Sequence, residues 1–201
     1  MIISGQPSQI PRTALVTGSI QGIGLAIARS FAKAGYKLGI HGLATRDEGQ
    51  AVAAQLMAEG APEARFFDGD LCDPDAIAEM MKEVQAWSAI DILVNNAGIQ
   101  RTASIANITP DVWNSILAVN LTAAFFTMQQ ALPDMAKRGY GRVINIASVH
   151  GLVGSRDKAP YVAAKHGLIG LIRSLSEDYM GQPFTFNALC PGYVDTPIVT
   201  R

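Results

Sequence analysis

Residues 13–17, TALVT, run straight into Gly18-Ser19-Ile20-Gln21-Gly22-Ile23-Gly24 and then into the apolar-periodic LAIARSFAKAG. A short buried strand, a glycine turn and a helix in that order leave few folds open. The helix must pack back over the strand, and a strand that crosses over through a helix pairs in parallel with its neighbour. The glycines let the backbone turn tightly and approach a pyrophosphate. The helix start offers free N–H groups and the positive end of a dipole to hold it. Gly18, Ser19, Gln21, Gly22, Ile23 and Gly24 are therefore candidate cofactor-binding residues, with a dinucleotide as the ligand class. The competing reading is a purely structural β–α turn.

The alternation continues along the chain. Further strands are predicted at 36–42, 64–68, 90–95, 141–147 and 184–190, and helices at 46–59, 74–87 and 160–180. This pattern predicts an α/β fold: a doubly wound parallel sheet (Rossmann fold) with helices on both faces and ligands at the carboxyl ends of the strands. From Val112 to Pro133 the chain carries no charged residue. That length invites a transmembrane reading. Asn114, Asn120, Thr122, Thr127, Gln129 and Gln130 argue against it, as does the surrounding β–α alternation. The expectation is a long helix buried on much of its circumference, in part against a second subunit.

Charged residues make up 16% of the chain and the net charge is −1, which excludes disorder and argues against a nucleic-acid or anionic-membrane partner. Cys72 and Cys190 form neither a CxxC nor a disulfide framework, so no metal site is expected and a reducing, cytoplasmic setting is. The first residues, MIISGQPSQIP, lack a basic region and a long apolar core, so no signal peptide is read there.

The chemistry concentrates in SVHGLVGSRDKAPYVAAK, residues 148–165. Tyr161 and Lys165 lie four positions apart, on one face of a helix. An ammonium beside a phenol favours the phenolate and is expected to draw its pKa from about 10 toward neutrality. A phenol tuned in that way can pass a proton to or from an alcohol. Ser148, at the end of the preceding strand, can hydrogen-bond the same oxygen. At the second strand's end, His41-Gly42-Leu43 offers neither an acid for a ribose nor an arginine for a 2′-phosphate, and Gln21 is not basic. Arg46 reads as a solvated residue at a helix start. The cofactor expected is NAD rather than NADP. Asp70 suits either an adenine amino group or a helix-capping network. Asn95-Asn96-Ala97-Gly98 leaves room for a ligand after its strand, and the asparagine amides can also tie strands together.

TGSIQGIG (17–24), NNAG (95–98), Asn120, Ser148, YVAAK (161–165) and PGYVDTP (191–197) resemble the short-chain dehydrogenase/reductase family in order and spacing. The resemblance implies that Tyr161 is the general acid/base and that Ser148 orients the substrate oxygen. It implies that Lys165 holds the cofactor ribose and that Asn120 seats a water in a relay to Lys165. It adds Leu43, Asp70, Leu71, Asn96, Ala97, Gly98, Tyr161, Lys165, Pro191, Gly192, Val194 and Thr196 to the cofactor contacts. A narrower likeness, in NNAGIQ (95–100) and residues 145–167, is to D-3-hydroxybutyrate dehydrogenases. That subfamily implies a substrate carboxylate held by Gln100, His150 and Lys158, with Ser148 and Tyr161 at the hydroxyl. It implies ketone-body metabolism and a homo-oligomer, dimer or tetramer. On this resemblance residues 1–201 form a single dinucleotide-binding and catalytic domain, and the family's C-terminal lid, last helix and edge strand are either outside the sequence as given or lacking from the protein. A further substrate-binding glutamine would fall just past Arg201. Two other readings stand beside this one: a reductase of 3-oxoacyl thioesters or sugars, and a catalytically weak NAD-binding protein.

Overall fold

The computed structural model describes residues 11–195, so Thr196 and the N-terminal residues 1–10 lie outside the description. Six strands form one parallel sheet in the order β3-β2-β1-β4-β5-β6. They are β1 (Thr13–Val16), β2 (Lys37–His41), β3 (Ala64–Phe67), β4 (Ile92–Asn95), β5 (Gly141–Ile146) and β6 (Phe184–Leu189). The helices are α1 (Gly22–Lys33), α2 (Arg46–Ala58), α3 (Pro74–Trp87), α4 (Pro110–Leu117), α5 (Ala123–Arg138) and α6 (Ala159–Asp178). From β1 the chain winds outward to β2 and β3, then returns past β1 to β4. The crevice at this reversal, outside the carboxyl ends of β1 and β4, is where such sheets take their ligands.

The alternation of side chains along each strand sorts them into two cores. Leu15, Leu93 and Val143 face α3, α5 and α6 on one side. Ala14, Val16, Ile92 and Val94 face α1 and α2 on the other. Helix starts follow local chemistry. Thr45 and Glu48 close a reciprocal capping box on α2, and Asp73 caps α3 ahead of Pro74. Gly139, left-handed at φ 66°, ends α5.

The uncharged stretch forms one continuous rod, but not a uniform one. Between α4 and α5 a π turn spans Ala118–Thr122. Asn120 sits inside it, donating from Nδ2 to the Ile116 carbonyl one turn back (2.9 Å) and to Ile99 (2.8 Å). The widened turn is thereby pinned from within, and π turns of this kind recur at functional sites. The rod is long and apolar enough to span a membrane by composition. Its Ile116, Met128 and Met135 are nevertheless packed into the core beneath the sheet.

Candidate active site

The turn after β1 is held from both sides. Thr17 Oγ1 accepts the backbone N–H groups of Asn96 (3.0 Å) and Ala97 (3.1 Å). Asn96 Nδ2 donates to the carbonyls of Thr17 (2.9 Å) and Gly18 (3.0 Å). The two strand exits at the switch point are thus one hydrogen-bonded unit, and the Asn96 amide serves the glycine turn. Gly18 sits at φ 62°, and a Cβ on Gly24 would stand 2.2 Å from the Gly18 carbonyl oxygen, so neither position accepts a side chain. No side chain caps the start of α1 at Gln21. N–H groups at a helix start without a side-chain cap fit a pyrophosphate.

The remaining sequence candidates also gather at the carboxyl end of the sheet. Leu43 follows β2 and is 84% exposed; Leu71 follows β3 and is buried. Asp70 Oδ1 accepts the Cys72 N–H (2.8 Å), so this carboxylate is part of the local turn that leads to the Asp73 cap. Pro191, Gly192 and Val194 follow β6. Thr196 lies outside the described residues. Beneath them, Asn95 bridges strands as expected, donating to Asn145 Oδ1 (3.0 Å) and accepting from Thr127 Oγ1 (2.7 Å).

Tyr161 and Lys165 lie in the first turns of α6, and Ser148 sits just past β5. Ser148 Oγ accepts the His150 N–H at 3.1 Å and lies near enough to the Tyr161 phenol to favour its ionised form. Lys165 is buried, 3% exposed, and its Nζ donates to the Ile146 carbonyl at 2.8 Å. That carbonyl draws the ammonium alongside the Tyr161 ring, 5.7 Å from its centroid. Lys165 and Asn120 converge over Gly98: a Cβ there would stand 2.8 Å from Asn120 Oδ1 and 3.6 Å from Lys165 Nζ. Asn120 Oδ1 is buried without a partner among the described residues. With Thr17, Asn95 and Thr127, these two residues line a cavity of about 10 Å3, room for one water.

The electrostatics correct one expectation. Burial pushes the Tyr161 phenol above its ordinary value, only partly offset by the Ser148 side chain. The expected downward pull by Lys165 is not among the causes, because a lysine lowered by burial gives up its own charge before a raised phenol ionises. Burial also lowers Lys165 to about 8. In this protein alone both partners are pushed toward neutrality, and a further positive charge is required to favour the phenolate.

The carboxylate candidates come together in part. His150 lies edge-on between two tyrosines, its ring 6.3 Å from Tyr161 and 6.4 Å from Tyr193. Its Nδ1 is buried without a partner among the described residues. The Ala103 N–H donates to the Asp157 carbonyl (2.9 Å), which joins the loop carrying Gln100 to the loop carrying Lys158. Asp157 adopts φ 57°, an uncommon conformation for a residue with a side chain, immediately before Lys158. Thr17 and Tyr193 were not singled out from the sequence. Thr17 betrayed itself only as a polar end to an apolar strand.

Residues 12–201 match the short chain dehydrogenase family. The chain belongs to that family. Among its relatives, the D-beta-hydroxybutyrate dehydrogenase of Rhizobium meliloti is 44% identical over 191 residues, 94% of this chain and 74% of that protein. A crystal structure of a putative NAD(P) dependent gluconate 5-dehydrogenase from Beutenbergia cavernae with bound NADP superposes with a TM-score of 0.89. It is 37% identical and covers 96% of this chain and 76% of its own. A 3-oxoacyl (acyl-carrier-protein) reductase from Agrobacterium tumefaciens with NADP bound gives 0.87 at 38% identity, over 92% of this chain and 71% of its own. Short-chain dehydrogenases use NAD(P), and this chain is an oxidoreductase of that family.

The buried lysine makes a measurable prediction. Between about 8 and its ordinary 10.5, the folded protein holds fewer protons at Lys165 than the unfolded chain, so stability rises with pH across that window. Below it, both states are charged and the full cost of burying the ammonium, roughly 3 kcal/mol, is felt. Urea denaturation of the wild type and Lys165→Met should therefore show the difference moving toward the wild type as pH rises from about 8 to about 10.5. A difference that stays constant would show that Lys165 is solvated in the folded state.

Proposed function

We propose that the protein is an NAD-dependent dehydrogenase that interconverts D-3-hydroxybutyrate and acetoacetate, with Tyr161 as general acid/base. The observation that carries this reading is the Tyr161 phenol set between the Ser148 hydroxyl and the Lys165 ammonium, with the half-buried His150 at its edge. The glycine turn from Gly18 to Gly24, the Gly98 opening and Lys165 would hold the cofactor, with Leu43, Asp70 and Leu71 on its adenosine side and Pro191, Gly192 and Val194 on the other. When bound, the cofactor supplies a hydride acceptor or donor, and its oxidised ring supplies positive charge.

This chain's own residues handle the proton and the geometry. Ser148 orients the substrate hydroxyl toward the Tyr161 oxygen, and Tyr161 takes its proton as the carbinol hydrogen leaves. Asn120 and Lys165, sharing a cavity sized for one water, give that proton a route onward. Gln100, His150 and Lys158 would fix the substrate carboxylate, and the orphaned His150 Nδ1 supports a ligand beside Tyr161. The likeness to the Rhizobium meliloti protein supports the same substrate.

The NAD preference rests on the loop after β2. Glu48 places its carboxylate on Thr45, accepting from N (2.8 Å) and Oγ1 (2.9 Å), while Arg46 is exposed. A carboxylate there disfavours a 2′-phosphate. Both solved relatives described above carried NADP, so the test is direct. We further propose a homo-oligomer, dimer or tetramer, because Trp113 on α4 and Phe125 on α5 remain 40% and 41% exposed.

A panel of small hydroxy acids with NAD and with NADP, followed by absorbance of the reduced nicotinamide, tests the reading. The highest kcat/KM is expected for D-3-hydroxybutyrate with NAD. A higher value with NADP would show that Arg46 or another cation meets the 2′-phosphate. The exposed apolar Leu152 and Val153 beside the site, together with the Agrobacterium relative, favour a second reading as a 3-oxoacyl thioester reductase. The two readings separate at Lys158. A charge-assisted hydrogen bond lost in Lys158→Ala should raise KM for D-3-hydroxybutyrate about ten- to a hundredfold. The substrate's methyl ester should lose a comparable factor with the wild type. Equal rates for acid and ester would remove the carboxylate clamp and favour the thioester.

A further inference from the structure

His41, the last residue of β2, is 2% exposed, and both of its ring nitrogens are engaged. Nδ1 accepts the Gly18 N–H at 3.3 Å, and Nε2 lies 2.8 Å from the Gly69 carbonyl oxygen. A backbone N–H only donates and a carbonyl only accepts. The two contacts therefore select one form, a neutral imidazole with its proton on Nε2. The same residue is zipped to the next one in the turn. The Ser19 N–H donates to the His41 carbonyl (2.7 Å), the His41 N–H donates to Ser19 Oγ (3.1 Å), and Ser19 Oγ donates to the Val16 carbonyl (2.7 Å). Gly42, which follows, leaves the space that Ile20 of the turn fills: a Cβ there would stand 2.6 Å from Ile20 Cγ1.

We propose that His41 is a positioning residue for the dinucleotide, because its imidazole ties the Gly18 N–H of the phosphate turn to the Gly69 carbonyl of the segment bearing Asp70 and Leu71. The proposal rests on the reading of the glycine turn as the cofactor site. One ring thereby sets the distance between the turn after β1 and the exit of β3, which face the two halves of the adenosine diphosphate. Leucine satisfies neither backbone group, and asparagine is too short to satisfy both.

Such a clamp is sensitive to protons. A proton on Nδ1 would set an N–H against the Gly18 N–H and push the turn away. Burial holds His41 below the usual imidazole range, against the opposing pull of the Gly69 carbonyl and of Asp68 and Asp70, the charged groups that face it. A group whose folded pKa is depressed keeps its contribution above the ordinary imidazole pKa and loses it as pH falls through the folded one. Cofactor binding should weaken in the same direction, since protonation and an ordered turn oppose each other.

The test measures dissociation constants for NADH by its fluorescence, from about pH 8 down to about pH 5, in the wild type, His41→Asn and His41→Leu. Nitrogen NMR of the wild-type imidazole reports the tautomer without reference to turnover. The wild type should show the Nε2–H form and a dissociation constant that climbs as pH falls. His41→Leu should bind about tenfold more weakly at neutral pH, as expected when buried donors and acceptors are orphaned, with no such climb. His41→Asn, which keeps an acceptor near Gly18, should lie between the two and should also lose the climb. If the leucine variant does not fold, the asparagine variant and the wild-type pH profile decide the matter. Folded variants that bind NADH as the wild type does, with the same pH profile, overturn the proposal, and so does an Nδ1–H tautomer. A wild type that binds neither NADH nor NADPH would instead overturn the reading of the cofactor site itself.

Discussion

The donation from Lys165 Nζ to the Ile146 carbonyl is the interaction on which the site depends. An ammonium taken out of water is costly unless it is paired with polar groups. Among the described residues its hydrogen-bond acceptor is a backbone oxygen at the end of β5, beside a pocket that Asn120 also lines. The contact fixes the rotation of α6 over the sheet. It thereby sets where Tyr161, one turn earlier on the same face, presents its phenol. Ser148, just past the strand that supplies the carbonyl, lies beside that phenol and partly offsets the effect of its burial. Strand end and helix start therefore set the position of the phenol together, and neither does so alone.

The other half of the crevice depends on backbone groups held by short polar side chains. Thr17, Asn96, Ser19 and His41 each bond main-chain atoms of the glycine turn or its neighbours. This arrangement keeps the turn ordered through its backbone, the kind of turn that suits a pyrophosphate. The cost of assembling it lies in the buried polar network beneath, where Thr127 donates to Asn95 and Asn95 to Asn145 across two strands and a helix, while Asn145 Nδ2 stays buried without a partner among the described residues.

The sheet and its helices were legible because apolar periodicity and glycine punctuation are local. The predicted strands differ from the observed ones only at their ends: β2, expected over 36–42, runs Lys37–His41, for example. The pairing of Tyr161 with Lys165 was legible because a spacing of four is also local. What escaped was non-local. The π turn around Asn120 has no composition signal, since it is stabilised by a carbonyl at Ile99. His41 looked like the absence of an acid because its partners lie at Gly18 and Gly69, far from it in sequence. The direction of the Tyr161 shift was misjudged for the same reason. Proximity to a lysine can be counted along the chain, but the burial of both groups cannot.

The central claim is that Tyr161 accepts the proton of a 3-hydroxy acid while its carbinol hydrogen leaves as hydride. The most direct measurement is a single turnover of D-3-hydroxybutyrate deuterated at carbon 3 with NAD, followed by mass spectrometry of the cofactor, in the wild type and in Tyr161→Phe. The account predicts one deuterium in the reduced nicotinamide from the wild type, none in the solvent, and almost no transfer in the variant despite bound NAD. Deuterium appearing in water, or transfer in Tyr161→Phe at the wild-type rate, would contradict it.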